Sequence, residues 1–253
     1  MTKYVSITGG GTPVNFETAV LMGKTEDNSL FVPTALPSVS LTQLEQWKDL
    51  SYQDLAFEIL QLFIDDAMIP SDDLKHLINK SFSPFFEKDI IPHYASSAYP
   101  NIKVQELFHG PTLSFKDIAM GFVVNLFDYF LERRKEHMTL MVATSGDTGP
   151  AAAFASIGKT HLNTWLFYPE DMITEEQRRQ MTVINEPNVH VVAINDCTNG
   201  SDDLDDLINH CFGDKAFHDG VNLSSVNSIN WARVMMQTVH YFYGYLQNTS
   251  QVG

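Results

Sequence analysis

The chain has 253 residues, 44% of them hydrophobic, which suits one large or two small globular domains. A formal net charge of −15 argues against nucleic acid and anionic membrane surfaces as partners, although a few local cations can still hold a small anion. The start lacks the apolar block of a secretory signal, the run 118–131 is too short to span a membrane, and Cys197 and Cys211 are spaced for neither zinc nor redox pairing, so a cytoplasmic protein is expected.

Residues 1–95 read as a separate, mostly helical front piece. The glycines at 9–11 lack a strand-to-helix frame and read as a flexible turn. Helices are expected over 16–23, ending at glycine, and over 41–50. The stretch 52–64 is helical by spacing, with Leu55, Ile59, Leu62 and Phe63 on one face. Pro70 opens a helix reaching Lys80, with Asp72 and Asp73 at its positive end. From about residue 96 the pattern alternates: strands at 102–108, 139–143, 164–168 and 189–194, helices at 115–135, 149–158, 175–184, 202–212 and 228–246. Such alternation implies an α/β fold whose parallel sheet is covered by helices on both faces.

Several stretches carry chemistry. Gly110-Pro111 breaks the first strand, and Ser114 stands three residues before Asp117 as a helix-start signature. Lys116 then falls in the first turn of a largely buried helix. The helix N-terminus and the apolar neighbours Phe115, Ile118 and Phe122 disfavour its ammonium and raise the fraction of free amine, the form Schiff-base chemistry requires. The plain alternative is a lysine whose stem packs while its head reaches water. Thr144-Ser145-Gly146-Asp147-Thr148-Gly149 lies between a strand and a helix, where amides and hydroxyls make an anion site and glycine admits close approach. The alternative there is a capped turn with Asp147 on the first-turn amides. Arg178 and Arg179 read as a phosphate grip or, equally, as a solvated helix face. Ser228 is expected to cap the last helix, leaving Asn230 and Arg233 on one face as a lining for a polar cleft. His109 serves as acid or base, or only hydrogen-bonds within its turn. Asp202, Asp203, Asp205 and Asp206 fit a helix start with Leu204, Leu207 and Ile208 as its buried stripe, and no metal site is expected.

The stretch from Glu106 to Asp117, ELFHGPTLSFKD, resembles the cofactor-lysine segment of threonine synthases, pyridoxal-phosphate (PLP) enzymes of the tryptophan-synthase-β-like fold, fold type II. The resemblance extends to Gly9-Gly10-Gly11, to the stretch from Asp27 to Pro33, to the TSGDTG loop, to Gln177-Arg178-Arg179-Gln180-Met181 and to the stretch from Val226 to Arg233, in the family's order. It implies that Lys116 carries PLP, and that the Thr144, Ser145, Gly146 and Thr148 loop holds the substrate carboxylate while Asp147 orders it. It implies a lyase of threonine biosynthesis, converting O-phosphohomoserine and water to threonine and phosphate. It further implies a threonine-synthase-like N-terminal domain at 1–95 and a partial catalytic region at 96–253. The family's Gly-Asn-Phe-Gly-type loop for the cofactor phosphate, and its later hydroxyl for the pyridine nitrogen, do not occur in the 253 residues. A truncated fold is therefore expected: weak or inactive alone, self-associating or completed by a C-terminal segment. A non-catalytic remnant and a related phospho-amino-acid lyase are the alternatives.

Overall fold

The computed structural model describes residues 2–249 apart from Asn28, Pro100 and 227–229. The front piece holds strand β1 (Tyr4–Ser6), helix α1 (Phe16–Met22), strand β2 (Phe31–Pro33) and helices α2 (Leu41–Trp47), α3 (Tyr52–Leu60) and α4 (Ser71–Phe82). Each of the first three helices starts on a side chain that accepts an otherwise free amide: Asn15 from Thr18, Ser40 from Gln43, Ser51 from Asp54. Helix α1 stops at Gly23, whose φ of 73° a side chain would oppose. The antiparallel pair β1–β2 is absent from the sequence reading, since strands of three residues show no alternation.

The expected strand at 102–108 shortens to β4 (Lys103–Gln105), and it pairs antiparallel with β3 (His93–Ala95) in a ribbon outside the main sheet. Residues that favour extended structure are compatible with either sheet, and only pairing decides between them. Gln105 anchors this ribbon by donating from Nε2 to the His240 carbonyl at 2.9 Å. Next come α5 (Lys116–Arg134), β5 (Met138–Ala143), α6 (Thr148–Ala155), β6 (Leu162–Pro169), α7 (Glu175–Thr182) and β7 (Val189–Ile194). Helix α8 (Ser201–Gly213), α9 (Lys215–Val221), the two-residue β8 (Leu223–Ser224) and α10 (Trp231–Asn248) complete the order. The main sheet runs β7-β6-β5-β8, all parallel, as the βα alternation implies.

Alternate residues of β5 serve the two faces. Leu140 and Val142 join the large core beneath α5 and α6, whereas Met141 packs with Ile208 of α8 and Leu223. Helix α5 has twelve of its nineteen residues buried, among them Phe122, Phe127 and Phe130, because α4, α6 and α10 all pack on it. One continuous core runs from Tyr4 to Leu246 through the front helices and the sheet region alike.

Helix α10 carries an unusual passenger. His240 is buried, its Nδ1 has no partner among the described residues, and burial holds the imidazole down at about 4. The folded state keeps this histidine neutral where the unfolded chain, titrating near 6.5, takes up a proton. Stability should therefore fall as pH drops from 6.5 toward 4, by an amount on the order of 2 kcal/mol from this group. Denaturant melts of wild type and His240→Gln at pH 7.5 and 4.5 check this: the variant should lose less stability on acidification, and equal losses would contradict it.

Candidate active site

The turn that precedes α5 is built around one buried carboxylate. Asp117 accepts from the Thr112 amide at 2.8 Å and from the Thr112 hydroxyl at 2.6 Å, and burial nevertheless pushes its carboxyl above the usual range. Gly110 is obligatory: a Cβ there would lie 2.5 Å from Asp117. Leu113, exposed, takes a φ of 59°, a left-handed conformation that leucine rarely adopts. Ser114 does not cap the helix as expected. Phe115 occupies the cap position without a side-chain bond, and the Ser114 hydroxyl accepts from the Lys116 amide at 3.3 Å.

Lys116 is the first residue of α5, as expected, but its surroundings differ from the expectation. Ile118 and Phe122 are fully buried in the core. The Lys116 Nζ instead lies 4.9 Å from the centre of the Phe115 ring and 3.8 Å from the Asp147 carboxylate. Structure thus joins two segments thirty residues apart, the Lys116 turn and the 144–149 loop.

That loop is held from within. The Thr144 hydroxyl donates to the Gly146 carbonyl at 2.8 Å and accepts from the amides of Gly146 and Gly149. A Cβ on Gly149 would come 2.5 Å from both Met181 and Thr144. Asp147 makes no cap bond to the amides of α6; its Oδ1 accepts from Gln177 at 2.7 Å. No backbone acceptor among the described residues takes the amides of Ser145, Asp147 or Thr148, and Ser145 is exposed. Gly146 is not in a glycine-only conformation, and a Cβ there meets only Gln177 at 3.5 Å.

Helix α7 braces both halves through Gln177, Gln180 and Met181, residues of a segment that resembles the family's but to which the sequence assigned no role. Gln177 holds Asp147, Gln180 donates to the Thr112 carbonyl at 3.3 Å, and Met181 packs against Gly149. Their spacing puts them on one helix face, which is the signal that could have found them. Arg178 and Arg179 both bind Glu175 on the surface, the solvated-face reading. His109 pairs with Glu106 at 2.7 Å and stacks on Phe108.

On α10, the two polar residues expected to line a cleft hydrogen-bond to the chain's own backbone, and Asn230 also borders a small cavity beside Lys24 and Asp205. Asn230 is the N-cap of α10, accepting from Ala232 and donating to the Val20 carbonyl at 2.9 Å. Arg233 is buried and donates to the Val226 carbonyl, with burial lowering its affinity for the proton. Both side chains serve the chain's own backbone, and no contact among the described residues links them to Lys116. Ser228 lies outside the described residues. In the acidic segment, Asp203 accepts from the amides of Thr198 and Asn199, Leu204 and Ile208 are buried, and Leu207 is exposed. No group of metal-binding side chains occurs among the described residues, nor a helix long and apolar enough to cross a membrane. A cavity of about 650 Å³ lies away from Lys116, beside Lys24, Arg134 and Phe212, so cavity size does not mark the site.

Comparison with known proteins agrees with this geometry. A family model described as threonine synthase N terminus matches residues 3–82. Threonine synthase of Schizosaccharomyces pombe is 39% identical over 252 residues, taking in 96% of this chain and 48% of its own length. Threonine synthase-like 2 of Xenopus laevis is 40% identical over 245 residues, 97% of this chain and 51% of its own length. The crystal structure of PLP-bound threonine synthase from Brucella melitensis superposes with a TM-score of 0.90 at 35% identity, covering 99% of this chain and 53% of that one. The chain spans about half the length of the curated relatives it matches. Motif order, parallel sheet and relatives converge: along nearly its whole length the chain is similar to threonine synthases and threonine synthase-like proteins, and it carries the segment described as the threonine synthase N terminus.

Proposed function

We propose that residues 1–95 form the family's N-terminal domain, and 96–253 the lysine-bearing portion of a fold type II catalytic region. This centre serves the conversion of O-phosphohomoserine and water to threonine and phosphate, a carbon–oxygen lyase reaction of threonine biosynthesis. The observation that carries this reading is the placement of Lys116 3.8 Å from Asp147, in a loop where the amides of Ser145, Asp147 and Thr148 have no backbone acceptor among the described residues. The donor set suits PLP: a half-buried primary amine on a rigid turn, beside amides and hydroxyls able to take a carboxylate. When bound, PLP supplies an electron sink for the carbon next to nitrogen.

The chain's own groups then have distinct tasks. Lys116 would hold the cofactor through Nζ, and the same amine would move protons at that atom. Asp147 stands beside Nζ and orients it, while Gln177 keeps the other carboxylate oxygen occupied. Thr144 fixes the loop, and Ser145, Gly146 and Thr148 present donors to the substrate carboxylate. The equal similarity to threonine synthases and to threonine synthase-like 2 supports, as a second reading, a related phospho-amino-acid lyase that releases a 2-oxo acid. A non-catalytic role would leave Lys116 without its cofactor.

Borohydride treatment in the presence of PLP should fix a pyridoxyl mass on Lys116, and Lys116→Ala should lose it. Label distributed over other lysines, or unchanged in the variant, would refute the assignment. Gly146→Val should fold, since its Cβ has room. It should nonetheless weaken a carboxylate analogue of the substrate by about tenfold, because the branched side chain stands where the carboxylate would approach the loop backbone, in a titration followed by calorimetry. The 253-residue chain by itself should self-associate in solution and release phosphate from O-phosphohomoserine only at background with added PLP. A monomer in light scattering that shows sustained turnover would overturn that expectation.

A further inference from the structure

A second cavity, of about 270 Å³, opens between α4, α5 and α6, and neither Lys116 nor residues 144–148 line it. Its floor is the stripe Asp117, Gly121 and Asn125 of α5. At Gly121 the helices touch, since a Cβ there would stand 3.3 Å from the Ser81 carbonyl of α4.

Two lysines meet at the polar end. Lys159 donates from Nζ to Asn125 Oδ1 at 2.7 Å, Asn125 donates from Nδ2 to the Ser81 hydroxyl at 2.9 Å, and that hydroxyl donates to the Leu77 carbonyl. The chain of bonds aims the lysine but leaves two of its three N–H groups over. Lys80, in the last turn of α4, brings a second ammonium close by, and burial together with that neighbour pushes Lys159 down to about 8. Like charges side by side are costly unless an anion joins them. Acidic residues outnumber basic ones in this chain by 31 to 16, yet no carboxylate among the described residues closes on either lysine. Asp128, the acid whose field reaches Lys159, is turned to His161 at 3.4 Å. Asp117, in the floor, is already spent on Thr112.

The opposite wall is apolar, formed by Phe85, Pro111, Phe154 and Ile157. A bare oxyanion would leave that wall unused. We propose that this cavity is a binding site for a small organic carboxylate, its oxygens between Lys80 and Lys159 and a short apolar body against Phe85 and Phe154. A ligand there lies along α5 and α6, the helices that begin at Lys116 and at the 144–149 loop.

The test is calorimetry on the full chain with 3-phenylpropanoate, its neutral amide and inorganic phosphate as probes. The carboxylate should bind, with amide and phosphate weaker by about tenfold or more, as expected when both charge and apolar contact contribute. Lys80→Met and Lys159→Met, which keep the stem and remove the charge, should each weaken it by about fivefold or more. Should Lys159→Met fail to fold, amine acetylation of wild type followed by mass spectrometry replaces it. Saturating 3-phenylpropanoate should then slow labelling of Lys80 and Lys159 but not of exposed Lys135. No binding at millimolar carboxylate, equal binding of the amide, phosphate at least as tight, or unprotected lysines would each overturn the proposal.

Discussion

The grip of the Asp117 carboxylate on Thr112 is the constraint on which the site depends. A buried carboxylate is costly unless its oxygens are satisfied, and the amide and hydroxyl of a residue five positions earlier satisfy both. The turn is thereby folded back onto the first turn of α5. That closure demands glycine at 110, tolerates a left-handed leucine at 113, and leaves Lys116 no freedom in where its stem departs from the helix. Strain concentrated beside a candidate functional lysine follows the common pattern in which the surrounding contacts over-determine a local conformation.

Helix α7 extends the same rigidity to the neighbouring loop. Parallel sheets present their functional loops beyond the carboxyl ends of the strands, and the 144–149 loop follows β5 in that way. A loop alone would be mobile, but Gln177, Gln180 and Met181 tie it and the Lys116 turn to one helix face. The effect on electrostatics is direct. Asp147, held by Gln177, brings a carboxylate to within 3.8 Å of Nζ, so the lysine is paired across the two segments rather than isolated among apolar side chains.

Helix α5 supplies the mechanical frame. It is buried on nearly all sides, so the front helices, the sheet and α10 share one core with it. Its few polar residues are consequently paired: Asp117 with Thr112, Asn125 with Ser81 and Lys159. The α5 start therefore holds a fixed position relative to both the sheet and the helical segment.

Much of this was legible in the sequence because it is local. Hydrophobic period and punctuation place α5, α7 and β7 within a residue or two, and the alternation of strands and helices dictates a parallel sheet. The chemical motifs mark Lys116 and the 144–149 loop by residue type and order. What pairs with what across the chain was decided only in three dimensions. The 102–108 segment has strand propensity but finds its partner in β3, and β8 is a strand of two residues that exists only because β5 lies beside it. Asn230 and Arg233, polar and three apart, each donate to a backbone carbonyl, of Val20 and of Val226, a pairing that sequence spacing does not reveal. The face of α7 turned to the site is its glutamines and not its arginines, because the arginines already have Glu175 and the glutamines alone can enter a crowded interior without carrying charge into it.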